Sequence, residues 1–250
     1  MKSIKTFIYS MALLITVVSC DEHRDFPDTA MKPCHVLCTD GKVPTYETCK
    51  ELGKTPIAVV FNINQSEKME GTGYAVFLHD LYPSAFADTI SVKQNTSADI
   101  TAYDGNVNTY KMFTTKDVES PLAESVFSVW TYGQSAYIPS VAQMRLLYES
   151  RCLINPIIIK CGGDPIPDAP DECWYWTSTE VEGQETVKAW LFSLGSGALQ
   201  ETPKTKHIKH GQSLRYTIRR NSYFKSKWKR QKSFKPPIKS SGLSSIFPLS

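Results

Sequence analysis

Short apolar blocks separated by polar turns make up most of the chain, and one stretch carries a helical period. Pro56-Ile-Ala-Val-Val-Phe-Asn62 is continuously apolar and bounded by turn residues, which predicts a buried strand. Gly71-Thr-Gly-Tyr-Ala-Val-Phe-Leu-His79 follows a polar turn and predicts the second arm of a hairpin. Trp174-Tyr-Trp-Thr-Ser-Thr179 and Lys188-Ala-Trp-Leu-Phe-Ser193 predict strands on either side of the polar turn Glu180 to Glu185. Leu214-Arg-Tyr-Thr-Ile218 alternates and predicts a closing strand. Thr45 to Gly53 predicts a short amphipathic helix ended by glycine. The strongest helix signal begins at Ile138-Pro-Ser140: Ser140 is a natural N-cap, Gln143 is placed for a capping box, and Val141, Met144, Leu147 and Tyr148 share one face. Cys152 to Lys160 either extends that helix or starts another after Pro156. No internal repeat is present, and the mixture predicts an α+β domain.

The N-terminus follows a different rule. Met1 to Lys5 carries two lysines, Phe7 to Val18 is apolar, and Ser19-Cys20 follows. That is the layout of a secretory signal, and the apolar run is too short for a membrane span, which needs roughly 20 residues. Val17-Val18-Ser19-Cys20 resembles a lipobox, with Val17 where the usual pattern has leucine. The resemblance implies that residues 1–19 are removed and that Cys20 is lipidated, holding the protein on a membrane through acyl chains. Residues 20–33 read as a flexible tether, polar and without periodicity. Its Asp21-Glu-His-Arg-Asp25 cluster resembles the export signal of surface lipoproteins in Gram-negative gut anaerobes, which implies an outer-membrane protein facing outward.

Charge divides the rest in two. Of 28 Lys and Arg, two lie in the leader and nine from Arg219 onward, which leaves 17 cations against all 25 acids between Cys20 and Ile218. The small positive total therefore averages an acidic body with a basic tail, and it is no nucleic-acid signature. Residues 34–218 hold the apolar content of one globular domain large enough to need no metal. Residues 219–250 interleave aromatics with cations and end in Pro236-Pro237 and a serine-rich stretch, the composition of a disordered tail.

With Cys20 assigned to lipid, six cysteines remain: Cys34, Cys38, Cys49, Cys152, Cys161 and Cys173. An even number in an exported chain points to disulfides, with pairs inside the first trio and inside the second and one bridge between them. Six cysteines allow fifteen pairings, and spacing does not choose among them. Free, unpaired thiols and zinc are the competing readings, and for zinc Cys34-x3-Cys38 lacks a second pair at metal spacing.

Tyr137-Ile-Pro-Ser-Val-Ala-Gln-Met-Arg-Leu-Leu147, then Tyr175-Trp-Thr-Ser-Thr-Glu180, then Ala189-Trp-Leu-Phe192, then an arginine-bearing strand at Leu214 to Ile218, occur in order. This series resembles the bacterial C-type-lectin-like domains of the "major paralogous domain" group, and Lys54 to Asp88 resembles the N-terminal half of lipoproteins in that group. The resemblance implies two small twisted antiparallel sheets with flanking helices, a platform whose loops bind sugars, proteins or other cells. The calcium-dependent lectin signatures, a Glu/Gln-Pro-Asn/Asp loop and a Trp-Asn-Asp strand, do not occur, since the strand reads Trp176-Thr-Ser-Thr179.

Candidate chemistry is sparse. Trp174, Tyr175 and Trp176 could form a stacking platform for a sugar ring, although strand alternation turns at least one tryptophan inward. Asp164 to Glu172 offers carboxylates on a proline-stiffened loop, read as solvated. His79-Asp80, His207 and His210 have no Gly-x-Ser-x-Gly or other nucleophile motif beside them, and Gly71-Thr-Gly73 lacks the third glycine and the helix of a nucleotide loop. The expectation is a lipid-anchored, non-catalytic surface module for glycan or protein ligands, with no cofactor, no metal and no nucleic acid. The alternatives are a structural subunit of a surface fibre or envelope complex and a relative of the formylglycine-generating oxidase, whose fold is related and which needs a reactive cysteine pair.

Overall fold

A computed structural model describes residues 30–69, 71–81, 84–128, 135–167, 169, 173–207 and 217–219. The elements in chain order are β1 (Val36–Cys38), α1 (Tyr46–Glu51), β2 (Pro56–Ile63), β3 (Gly73–Phe77), α2 (Gly105–Thr114), α3 (Pro121–Ser128), β4 (Ser135–Tyr137), α4 (Val141–Lys160), β5 (Trp174–Glu180), β6 (Lys188–Ser193), β7 (Leu199–Pro203) and β8 (Thr217–Arg219). They build a five-stranded sheet in the order β1-β2-β3-β8-β4 and a three-stranded sheet in the order β5-β6-β7. Every strand pair in both sheets is antiparallel. The class is α+β, as the alternation of periods predicts.

β2 explains why its sequence is apolar without interruption. Ala58 and Val60 face one core cluster, which also holds Leu37, Ala75, Phe77, Leu122, Ile138 and Trp176. Val59 and Phe61 face a second, with Val36, Tyr74, Val76, Met144, Leu147 and Ile158. A strand covered on both faces has no position left for a polar side chain. The β2–β3 hairpin contains a register shift between Val60 and Asn62. Gly73 sits where a Cβ would come within 2.7 Å of the Asn62 carbonyl, so the close approach of the two strands there requires glycine.

α4 covers the second cluster. Ser140 caps it: Gln143 N–H donates to Ser140 Oγ at 3.4 Å, and Ser140 N–H donates to Gln143 Oε1 at 2.9 Å. Val141, Met144, Leu147, Ile154 and Ile158 are its buried apolar residues. Of the two readings of residues 152–160, the helix continues: Pro156 lies inside it on an exposed turn. There the backbone bond missing at proline faces water, which lowers its cost.

Two expectations shift. The described part of the closing strand is Thr217–Arg219, so it runs one residue into the segment assigned to the tail. It lies between β3 and β4, pairing Ile218 with both Ala75 and Ala136. Met31, from the end of the segment read as tether, packs against the first cluster. Residues 1–19, Cys20, the Asp21–Asp25 cluster, 214–216 and the tail beyond Arg219 lie outside the described residues.

Candidate ligand-binding surface

β5 has no free face, and this decides the fate of the aromatic platform. Trp176 pairs with Leu191 and Tyr175 with Phe192, which sends them to opposite sides of the three-stranded sheet. Trp176 is only 3% exposed, its indole N–H donates to the Ser84 carbonyl at 3.1 Å, and its ring tilts against Phe86 at 5.6 Å. Tyr175 is fully buried, and its hydroxyl donates to Asp80 Oδ2 at 3.4 Å. Neither ring can stack on a sugar, so the three-residue platform is corrected to Trp174 alone, half-buried against the first cluster. The reason is that loop 84–87 covers one side of β5 and α4 with the five-stranded sheet covers the other, leaving no surface between.

The adjacent strand presents what the sequence reading missed. Along β6, Ala189 and Leu191 point into the first cluster, so Lys188, Trp190 and Phe192 share the opposite face. In register across β7, Lys188 stands beside Pro203, Trp190 beside Glu201 and Phe192 beside Leu199. Lys188 Nζ donates to Glu201 Oε2 at 2.9 Å, and Gln184 Nε2 donates to the same oxygen at 3.3 Å. Trp190 is half-buried. At the other end of the row, the Tyr148 ring of α4 lies edge-on to Phe192 at 6.2 Å. The Arg151 guanidinium sits 4.0 Å from the Tyr148 ring centroid and donates to the Tyr148 carbonyl at 2.7 Å. Gly197, at φ +74°, lets this ring approach: a Cβ there would meet it at 3.2 Å.

The result is a row in which the Tyr148 and Trp190 rings are flanked by Arg151 at one end and by Lys188 and Glu201 at the other. Ring faces suit the C–H face of a pyranose or an aliphatic side chain, and the polar groups at the margin would orient hydroxyls or charges. No family model matches the chain, and no curated protein matches it. The row therefore stands on its geometry. The sequence signal for it was the alternation of Lys188-Ala-Trp-Leu-Phe192, which puts Trp190 on the side away from Leu191.

Behind the sheet's opposite face lies a buried ionic knot. Glu180, Ala189 and Thr202 are in register across β5, β6 and β7, and the small Ala189 leaves room beside Glu180. Lys204 Nζ, fully buried, donates to Glu180 Oε1 and to the Val92 carbonyl at 3.3 Å. Gln94 N–H donates to the same Glu180 oxygen at 3.0 Å, and Glu180 N–H donates to Thr96 Oγ1 at 3.3 Å. Burial pushes the Lys204 ammonium below lysine's ordinary value, against the pull of Glu180. Glu180 Oε2 and both ends of the Gln94 amide have no hydrogen-bond partner among the described residues. The knot ties loop 92–96 to the sheet and does not reach the surface, so it positions and does not bind.

The other candidates are spread apart. His79 Nδ1 and Asp164 Oδ2 form an exposed pair at 3.1 Å, His207 is exposed, and His210, Asp168, Asp171 and Glu172 lie outside the described residues. All six described cysteines are free thiols in this structure. Cys152 and Cys161 lie nine residues apart on and just beyond the continuous helix α4, about 13 Å by helix rise, and a disulfide needs Cα atoms within about 7 Å. That rules out Cys152–Cys161, one of the three pairings open within the later trio. Cys173 is buried with its Sγ 3.0 Å from Ser193 Oγ, and Cys34 Sγ contacts the Leu153 carbonyl at 3.7 Å. Cys38 and Cys49 face each other with Sγ atoms 3.4 Å apart. Burial pushes the Cys161 thiol up to about 11 and, with the Cys49 hydrogen bond second, Cys38 up to about 12. An oxidase nucleophile needs the opposite shift.

Proposed function

We propose that the chain is a lipid-anchored, surface-facing envelope protein whose C-type-lectin-like domain binds a glycan or protein ligand without catalysis. The observation that carries the binding reading is the row of Tyr148, Arg151, Trp190, Lys188 and Glu201 where α4 borders one face of the three-stranded sheet, half-buried except at the exposed Glu201. The anchor reading is supported by the signal layout ending at Cys20. The lectin-like reading is supported by two antiparallel sheets with flanking helices, and by the order of motifs from Tyr137 to Ile218. Fold by itself does not fix function, so the ligand class rests on the row's chemistry.

The test has two arms. Intact cells are treated with protease, and the soluble domain is screened against glycan and protein arrays beside Trp190→Ala. The reading expects the protein to be shaved while periplasmic markers survive, and a bound ligand to lose at least tenfold in affinity with Trp190→Ala. Protection from protease moves the protein to an envelope complex inside the periplasm. Ligand binding unchanged in Trp190→Ala removes the row from the site.

A further inference from the structure

The two thiols that face each other lie where the chain turns from β1 toward α1. β1 ends at Cys38, whose carbonyl accepts from Gly41 N–H at 2.8 Å as the chain turns. α1 is six residues long, and Cys49 is its buried residue. Both backbones are fixed: Cys38 N–H donates to the Lys42 carbonyl at 2.9 Å, Cys49 N–H to the Thr45 carbonyl at 2.9 Å, and Lys54 N–H to the Cys49 carbonyl at 2.9 Å. A short helix of this length has little stability of its own. The Sγ atoms need to close by about 1.4 Å to reach a bond length, a movement that side-chain rotation supplies.

We propose that this fold pairs Cys38 with Cys49 as a structural disulfide under oxidising conditions, closing the loop from β1 to α1 and leaving Cys161 a reduced neighbour. Of fifteen pairings, the geometry selects this bond: Cys152 and Cys161 are too far apart along α4, Cys173 faces Ser193, and Cys34 faces Leu153. The oxidant is a disulfide-bearing partner such as oxidised glutathione. One cysteine thiolate attacks it, forming a mixed disulfide and releasing one reduced thiol. The second cysteine then attacks that mixed disulfide and releases the other. Two cysteines are oxidised, one disulfide is reduced to two thiols, and the two S–H protons leave with those thiols. Cys38 and Cys49 are buried in the folded chain, and burial holds Cys38 as the unreactive thiol, so the bond forms as the chain folds. Once formed, the same burial shields it from reductants.

In the cell the bond rests on the export reading, because it needs an oxidising compartment; its formation in vitro does not. The full chain is unfolded in guanidinium, refolded in oxidised and reduced glutathione, alkylated, digested with trypsin without reduction and mapped by mass spectrometry. The expected product is a cross-linked pair of peptides carrying Cys38 and Cys49, lighter than the two reduced peptides by two hydrogens, with Cys161 alkylated. Its Tm lies roughly 5–10 °C above that of protein refolded in dithiothreitol. Cys38→Ala removes both the link and the Tm difference, while Cys161→Ala keeps both. Recovery of Cys38 and Cys49 alkylated after oxidative refolding, or a Cys49–Cys161 link in place of this one, overturns the pairing. The protease treatment of intact cells judges the export reading separately.

Discussion

Trp176 and Trp190 stand on neighbouring strands of one small sheet, yet they point to opposite faces. Trp176 is 3% exposed with its indole nitrogen satisfied by the Ser84 carbonyl, so Trp176→Ala should leave a cavity and cost about 3–5 kcal/mol in urea denaturation. A folded mutant of near-native stability would contradict its place in the core. Alternation puts Trp174 and Trp176 on one face of β5 and Tyr175 on the other, but the sequence does not show which strand keeps a free face, because that depends on what packs from 84–87 and α4. The Lys204–Glu180 knot is likewise invisible in sequence, since the partners are 24 positions apart and meet through strand register. Removing one charge strands the other in the core, so Glu180→Gln or Lys204→Met alone should cost about 3–5 kcal/mol. The double Glu180→Leu/Lys204→Met should recover most of that, because the unpartnered Glu180 Oε2 and Gln94 amide show that the desolvation of the pair is incompletely offset. The sign with pH follows from Lys204: its folded value lies below the ordinary 10.5, so between the two the unfolded chain binds more protons and stability rises with pH. The wild type should gain on the double mutant as pH climbs toward 10.5, and parallel stability curves would contradict the lowered value.

At the scale of elements, legibility followed how local the cause was. α4 was readable because its start is written in four residues: Ser140 and Gln143 satisfy each other's backbone donors, and Ser140 Oγ also donates to the Ala102 carbonyl at 2.6 Å. Ser140→Ala should therefore cost about 1–2 kcal/mol, read by chemical denaturation, whereas Ser140→Asp should keep part of the cap. Equal stability of Ser140→Ala and wild type would show that the cap contributes little beside packing. α2 was not readable: Gly105-Asn-Val-Asn-Thr109 is poor in helix formers, and Asp104 makes no side-chain cap bond. Its helix is held from outside, by Thr109 Oγ1 accepting the Ile138 N–H at 2.8 Å and by buried Met112 in the first cluster. β7 was missed for the same kind of reason, since Gln200-Glu-Thr202 reads as a polar turn until pairing with β6 makes it a strand.

At the scale of the whole molecule, the last described strand has the longest reach. The three described residues of β8 lie between β3 and β4, so they join the N-terminal hairpin to the strand that leads into α4. A strand in the interior of a sheet shares hydrogen bonds with both neighbours, and its removal leaves two new edges with unpaired backbone groups. The charge division of the sequence places the end of the domain within one residue of this strand, but it could not show that Arg219, the first cation of the basic segment, is itself paired with Tyr74 and Ser135. Two truncations separate strand from tail. Ending the chain after Arg219 removes residues with the composition of a disordered segment, and Tm should change by no more than about 2 °C in calorimetry. Ending it after Tyr216 removes only three further residues, yet it should abolish the cooperative transition or lower Tm by more than about 10 °C. Equal behaviour of the two truncations would mean that β8 contributes nothing to the sheet; a large loss in the first would mean that the basic segment packs onto the domain.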